Sequence, residues 1–100
     1  MGITIAETTF LLREPSGKTR RVHIRLGCPY KISEEEAACP VALDGLYEEP
    51  CDIRGADTFQ ALALALGFVR RTIIDWTEKG YTFQYDCGDE FPIEAYFWSE

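Results

Sequence analysis

"RGADTFQALALALGFVRRTIIDW", residues 54 to 76, is the stretch whose reading decides the fold. Phe59, Leu62, Leu66, Val69, Ile73 and Trp76 recur at steps of three and four, the spacing of one face of an α-helix. Leu64, Phe68, Ala61, Ala63 and Ala65 widen that stripe. Asp57 supplies an N-cap, and Gln60 three residues on allows a variant of the capping box. Lys79 stands in the last turn and Gly80 takes the C′ position. Gly67 costs about 1 kcal/mol relative to alanine inside a helix unless a neighbour packs closely on it. The expected helix of about 22 residues is roughly 33 Å long, enough to cross a sheet. Its stripe is expected to be used up as the core of the chain rather than as a cofactor slot or a partner surface.

Strands are expected on both sides of it. In "TTFLLREPSGKTRRVHIRLG", Thr8, Phe10 and Leu12 alternate, Pro15, Ser16 and Gly17 turn the chain, and Val22, Ile24 and Leu26 alternate with Arg21, His23 and Arg25. One face of the second strand is apolar and the other cationic. Ile3 and Ile5 fall in the opposite phase, which predicts a bulge or a later strand start near Ala6 or Glu7. "GCPYKISEEEA" reads as a loop. Cys39, Val41 and Leu43 share a strand face, and Asp44-Gly45 suits a tight type I′ turn with Leu46–Ile53 returning. Pro40 cannot donate to a ladder, so that strand is expected at an edge or with that position facing away. After Gly80, Tyr81, Phe83 and Tyr85 alternate, Asp86 to Glu90 turn, and Phe91, Ile93, Ala95 and Phe97 alternate again, a second hairpin. The expected architecture is α+β: one domain over residues 1–100, with an antiparallel sheet of about five to six strands and one long helix packed on one face.

The composition, 46% hydrophobic and 27% charged, is that of a globular chain and argues against disorder. The net charge is −7 and uneven: residues 1–31 sum to +4 and residues 32–100 to −11. Such a balance repels phosphate backbones and favours basic partners, so no nucleic acid is expected as a ligand. No basic leader followed by an apolar run opens the chain, and the longest apolar-rich run, Phe59 to Phe68, is too short to span a bilayer. The reading is cytoplasmic, with no membrane partner. Cys28, Cys39, Cys51 and Cys87 are then expected as free thiols.

Catalytic groups are sparse. His23 is the single histidine, and it stands between Arg21 and Arg25 on the outward face of a strand, where a solvent-facing role outweighs a catalytic one. The cysteines are spaced by 11, 12 and 36 residues with no close pair, so zinc is carried as an alternative and not as the expectation. "RGADTF" is no phosphate loop. No catalytic residue, metal ligand or cofactor is assigned.

Three acidic groups remain: Glu34, Glu35 and Glu36; Glu48, Glu49 and Asp52; Asp86, Asp89 and Glu90. Their bland reading is a solubilising surface. Their functional reading is a docking rim for a basic protein, with Tyr47 and Trp98 as anchors and with Tyr30 and Tyr96 nearby.

"ACPVALDGLY" followed by "IRGADTFQALALAL" resembles a family of small uncharacterised bacterial proteins. The shared residues are Cys39-Pro40-Val41, Asp44-Gly45-Leu46, and Gly55, Asp57 and Gln60-Ala61-Leu62, with the "SGKTRRVHIRLGCPY" hairpin also similar. The resemblance covers roughly residues 8–75, and the tail after Gly80 looks particular to this sequence. It implies the fold and carries no activity. Shape and size are similar to immunity proteins that neutralise secreted bacterial toxins, an analogy only. The expected function is therefore a binding protein and not an enzyme: an immunity-type inhibitor that occludes a basic toxin or effector. A cysteine-based zinc-binding regulatory module and a phage-type inhibitor of a host defence complex are the alternatives, and a small carboxylate-based enzyme ranks last. The same features allow a homodimer.

Overall fold

The computed structural model describes residues 2–97. Six strands and two helices follow in order: β1 (Thr4–Arg13), β2 (Thr19–Gly27), β3 (Tyr30–Ser33), β4 (Glu36–Asp44), β5 (Cys51–Gly55), α1 (Thr58–Glu78), β6 (Thr82–Gln84) and α2 (Ile93–Tyr96). All strand pairs are antiparallel. β2 lies between β1 and β4, β6 pairs β1, and β5 pairs β4. The fold is α+β, with the long helix against β4, β5 and β6.

The alternating residues of β1 and β2 do what their period requires. Phe10, Leu12, Val22, Ile24 and Leu26 are buried, while Arg21 stays exposed. The expected bulge is present: the register shifts between Thr4 and Ala6, leaving Ile5 as the extra residue. Cys39, Val41 and Leu43 fill the same inner face from β4.

Three expectations about the strands are corrected. The stretch after Gly27 is not a loop: β3 continues β2 past Cys28-Pro29 and pairs β4, so that Glu34 and Glu35 form a hairpin turn. β-branched and aromatic residues in "YKIS" outweighed the flanking Pro and Glu. β4 is an inner strand and not an edge, and Pro40 meets the other alternative: the pairing on the β2–β3 side stops at Val41 and resumes at Ala38, so its missing N–H falls in the gap. Asp44-Gly45 does not make a type I′ turn, since only Gly45 takes a positive φ (+99°) and a longer connection leads to β5. The last hairpin closes but does not run on. Phe91 N–H donates to Phe83 O, and then Pro92, with no N–H to give, sends the chain into α2.

The helix ends are built as their residues predict. Asp57 Oδ1 accepts from Gln60 N–H at 2.8 Å, and Gln60 Oε1 accepts from Ala56 N–H at 2.5 Å. At the other end Gly80 N–H donates to Thr77 O and Tyr81 N–H to Trp76 O, a Schellman pair with Gly80 at φ +97°. Tyr81 then meets Trp76 edge-on at 4.7 Å, the apolar contact that accompanies such a cap.

The face the helix buries differs from the expected stripe. Ala61, Ala65, Val69, Thr72 and Ile73 are buried; Phe59 is 83% exposed, Leu64 48% and Leu66 42%. The helix lies down on its alanines. Gly55 explains it: a Cβ there would stand 2.7 Å from the Ala61 nitrogen, so β5 and the first turn touch backbone to backbone. Only small side chains fit between them, and the large ones turn outward. The stripe is thus core in its second half and surface in much of its first.

Candidate functional site

The most developed combination of aromatic and acidic groups lies where β4 ends. Gly45 reverses the chain so closely over β2 that a Cβ would come 2.5 Å from Arg21 O. Leu46 and Tyr47 N–H groups both donate to Leu43 O, which fixes the turn. Tyr47 is thereby set edge-on to Trp76 at 6.3 Å, with 48% of its surface still free. Trp76 is itself held by Tyr81 and by the cations of Arg20 and Lys79 at 5.8 and 5.9 Å. Glu48 and Glu49 follow Tyr47, both exposed and neither in an ion pair among the described residues.

The other acids are placed apart. Glu34 and Glu35 cap the β3–β4 hairpin, at the opposite end of nine-residue β4 from Glu48 and Glu49, roughly 26 Å away at strand rise. Glu34 pairs with Lys31 at 3.4 Å and Glu36 with Arg54 at 3.1 Å. Asp52, on β5, accepts from Tyr30 Oη at 2.6 Å; that hydrogen bond, with desolvation behind it, raises the Tyr30 pKa. Asp86 pairs with Arg21 at 2.8 Å, in the turn that also carries Asp89 and Glu90. The three groups do not converge on one face. Trp98 lies outside the described residues.

The outer face of the sheet holds a network that strand-by-strand reading missed. His23 Nε2 is 2.6 Å from Glu7 Oε1 and its Nδ1 is 4.0 Å from Asp44 Oδ2, while Arg25 donates to Asp44 at 2.8 Å. His23 stands among carboxylates from β1 and β4, not only between the arginines of its own strand. The signal was available in the register: a turn over residues 14–18 places Glu7 opposite Arg25 and Thr9 opposite His23. The arrangement is a cross-strand ladder in which the Glu7 and Asp44 carboxylates alternate with His23 and Arg25 on a half-exposed surface.

A cleft of about 220 Å³ opens between α1, the inner face of β1 and β2, and the chain after Phe91. Phe10, Leu26, Leu66, Phe91 and Phe97 line it, with Glu7 at the rim. It falls below the roughly 300–1,000 Å³ of small-molecule sites and is, among the described residues, the open end of the core. Of the cysteines, Cys39 is buried in the core, where desolvation raises its pKa, with smaller contributions from Cys28 and Asp52. Cys28, Cys51 and Cys87 are exposed. Among the described residues no three potential metal ligands come together, and no helix is long and apolar enough to cross a membrane.

A family model for a domain of unknown function, DUF6968, matches residues 6–87. The chain belongs to the DUF6968 family. The matched span takes in β2–β5, α1, β6 and nearly all of β1, and so extends past Gly80, beyond the limit drawn from the motifs alone. α2 lies outside it. No curated protein and no solved structure matches this DUF6968 chain.

Proposed function

We propose that this DUF6968 chain is a non-catalytic binding protein of the cytoplasm that occludes a basic protein, most concretely as an immunity-type inhibitor of a toxin. The observation that carries the reading is the Tyr47–Glu49 loop. A half-exposed ring, braced by Trp76, is followed by two carboxylates without an ion-pair partner among the described residues. A braced aromatic loses little rotamer freedom on being covered, and adjacent carboxylates steer a cationic surface towards it. The net charge of −7 adds long-range attraction. The dispersed acids at Glu34–Glu36 and Asp86–Glu90 contribute to that field rather than to the contact.

Co-expression with the product of an adjacent gene that arrests growth tests it. The parent chain is expected to restore growth, and Tyr47→Ala combined with Glu48→Lys and Glu49→Lys to lose that protection while keeping the thermal melt. Protection undiminished in the triple variant removes the proposal.

A further inference from the structure

Cys28 and Cys39 face each other across the gap in the pairing between β4 and the β2–β3 junction. Leu26 is opposite Val41, and continuing that register by two residues sets Cys28 opposite Cys39, in the same inward phase. Cys28 N–H donates to Ile3 O on the β1 side, so its backbone polar groups point away from β4. Opposed residues of that kind have Cα atoms about 4.5 Å apart. A disulfide spans Cα separations of roughly 4.4–6.8 Å. Two further observations bring the thiols together. Cys39 Sγ–H donates to Gly27 O at 3.5 Å, against the peptide bond that leads into Cys28. Desolvation is the first cause of the raised Cys39 pKa, and Cys28 is the next. Cys51 is opposite Val41 and therefore diagonal to Cys39. Diagonal Cα atoms are roughly 7–8 Å apart, beyond disulfide reach.

We propose that Cys28 and Cys39 are a peroxide-reactive pair, Cys28 taking the oxidant and Cys39 closing a reversible disulfide between the β2–β3 junction and β4. Exposure sets the order of the steps. Cys28 is open to solvent and Cys39 is fully buried, so a small hydroperoxide reaches Cys28 first. The Cys28 thiolate attacks the peroxide: an S–O bond forms, the O–O bond breaks, and the departing hydroxide takes up a proton as water. Cys28 is then a sulfenic acid, which condenses with a neighbouring thiol. The Cys39 sulfur attacks the Cys28 sulfur: the S–S bond forms, the S–O bond breaks, and the departing hydroxide leaves as water with the Cys39 proton. Two thiols are oxidised by two electrons and one peroxide is reduced to two waters. Cys28 Sγ now rests 3.6 Å from Pro29 O, so it must rotate, in a stretch where no pairing to β4 has to break. In a reducing compartment such a bond is transient, as in redox sensing. It closes a loop that holds all of β3 and the Glu34-Glu35 turn, so oxidation stiffens that hairpin. It involves no residue of the Tyr47–Glu49 loop, and either reading can fail alone.

Hydrogen peroxide applied to the folded chain, followed by intact mass and peptide mapping, tests it. The parent is expected to lose two hydrogens, its free thiols falling from four to two, with Cys28 linked to Cys39 and both recovered by dithiothreitol. The Cys51→Ser/Cys87→Ser chain is expected to form the same bond, to the same extent in dilute and in concentrated protein. Cys28→Ser, at an exposed position, is expected to leave Cys39 reduced and the thermal melt unchanged. Cys39→Ala is expected to stop Cys28 at the sulfenic acid, captured by dimedone. Oxygen gained on Cys28 in the parent with no loss of hydrogens overturns the proposal. So does a bond that forms only between chains, or one that joins either cysteine to Cys51.

Discussion

Gly55 and Ala61 are in backbone contact: a Cβ on Gly55 would lie 2.7 Å from the Ala61 nitrogen and 3.1 Å from its Cα. The end of β5 and the first turn of α1 therefore set each other's position before any large side chain takes part. The remaining rotation of the helix follows from that contact.

Gly55→Ala is expected to lower stability by about 1–3 kcal/mol, the range for overpacking, because the atoms in the way are main chain and cannot step aside. For a chain of this size about 1 kcal/mol shifts the melting temperature by roughly 4–8 °C. A thermal melt equal to the parent's would show that the contact is not tight.

Gly67→Ala should act in the opposite direction. The site opens on empty space, and alanine gains about 0.5–1 kcal/mol over glycine inside a helix. Melts at low concentration are expected to place Gly67→Ala above the parent and Gly55→Ala below it.

Asp57→Ala removes the side-chain acceptor of the Gln60 N–H. The expected loss is about 1 kcal/mol, and Asp57→Asn, which retains an acceptor, is expected to avoid most of that loss. Equal melts for the alanine and asparagine variants would place the effect elsewhere.

Tyr85 donates to Tyr96 Oη at 3.1 Å. That hydrogen bond first, then desolvation and the Tyr96 charge, pushes its pKa from 10.0 up to about 12. Between those two values the unfolded chain has released the proton and the folded chain still holds it. Stability therefore falls as pH rises through this window and levels off above it. Denaturant midpoints against pH, read beside ultraviolet titration of tyrosinate, follow both. Tyr96→Phe is expected to return the Tyr85 titration towards 10.0; an unshifted Tyr85 in the parent would contradict the contact.

Thiol labelling distinguishes the cysteines. Cys28 and Cys87 are exposed and should react in the folded chain; Cys51 should follow more slowly, its pKa raised by desolvation and by Asp52. Cys39 is fully buried and should react only on unfolding. Rapid labelling of Cys39 in the folded state would place it outside the core.

Much of the architecture was legible because it rests on local rules. Phe10 and Leu12 on one strand and Val22, Ile24 and Leu26 on the next declare their face by alternation. Asp57 and Gly80 declare the helix ends by capping chemistry, and the phase break at Ile3 and Ile5 declares the bulge. β3 was not legible, because Pro29 and the glutamates speak for a loop, while pairing to β4 is a contact that local sequence does not contain. The acidic groups were legible as sequence runs but not as places: Glu36, Asp52 and Asp86 prove to hold Arg54, Tyr30 and Arg21. The His23 ladder needed three strands in register.

The sequence by itself determined that there is a long helix between antiparallel strands, where it starts and stops, and which strand faces turn inward. Periodicity and capping are properties of neighbouring residues and survive without a tertiary context. Only the tertiary structure decided which side of the helix is core. From Thr58 to Val69 every side is uncharged, so no charged residue orients the rotation. The choice fell to how near β5 allows the backbone to come, which selects Ala61 and Ala65 and leaves Phe59 in water.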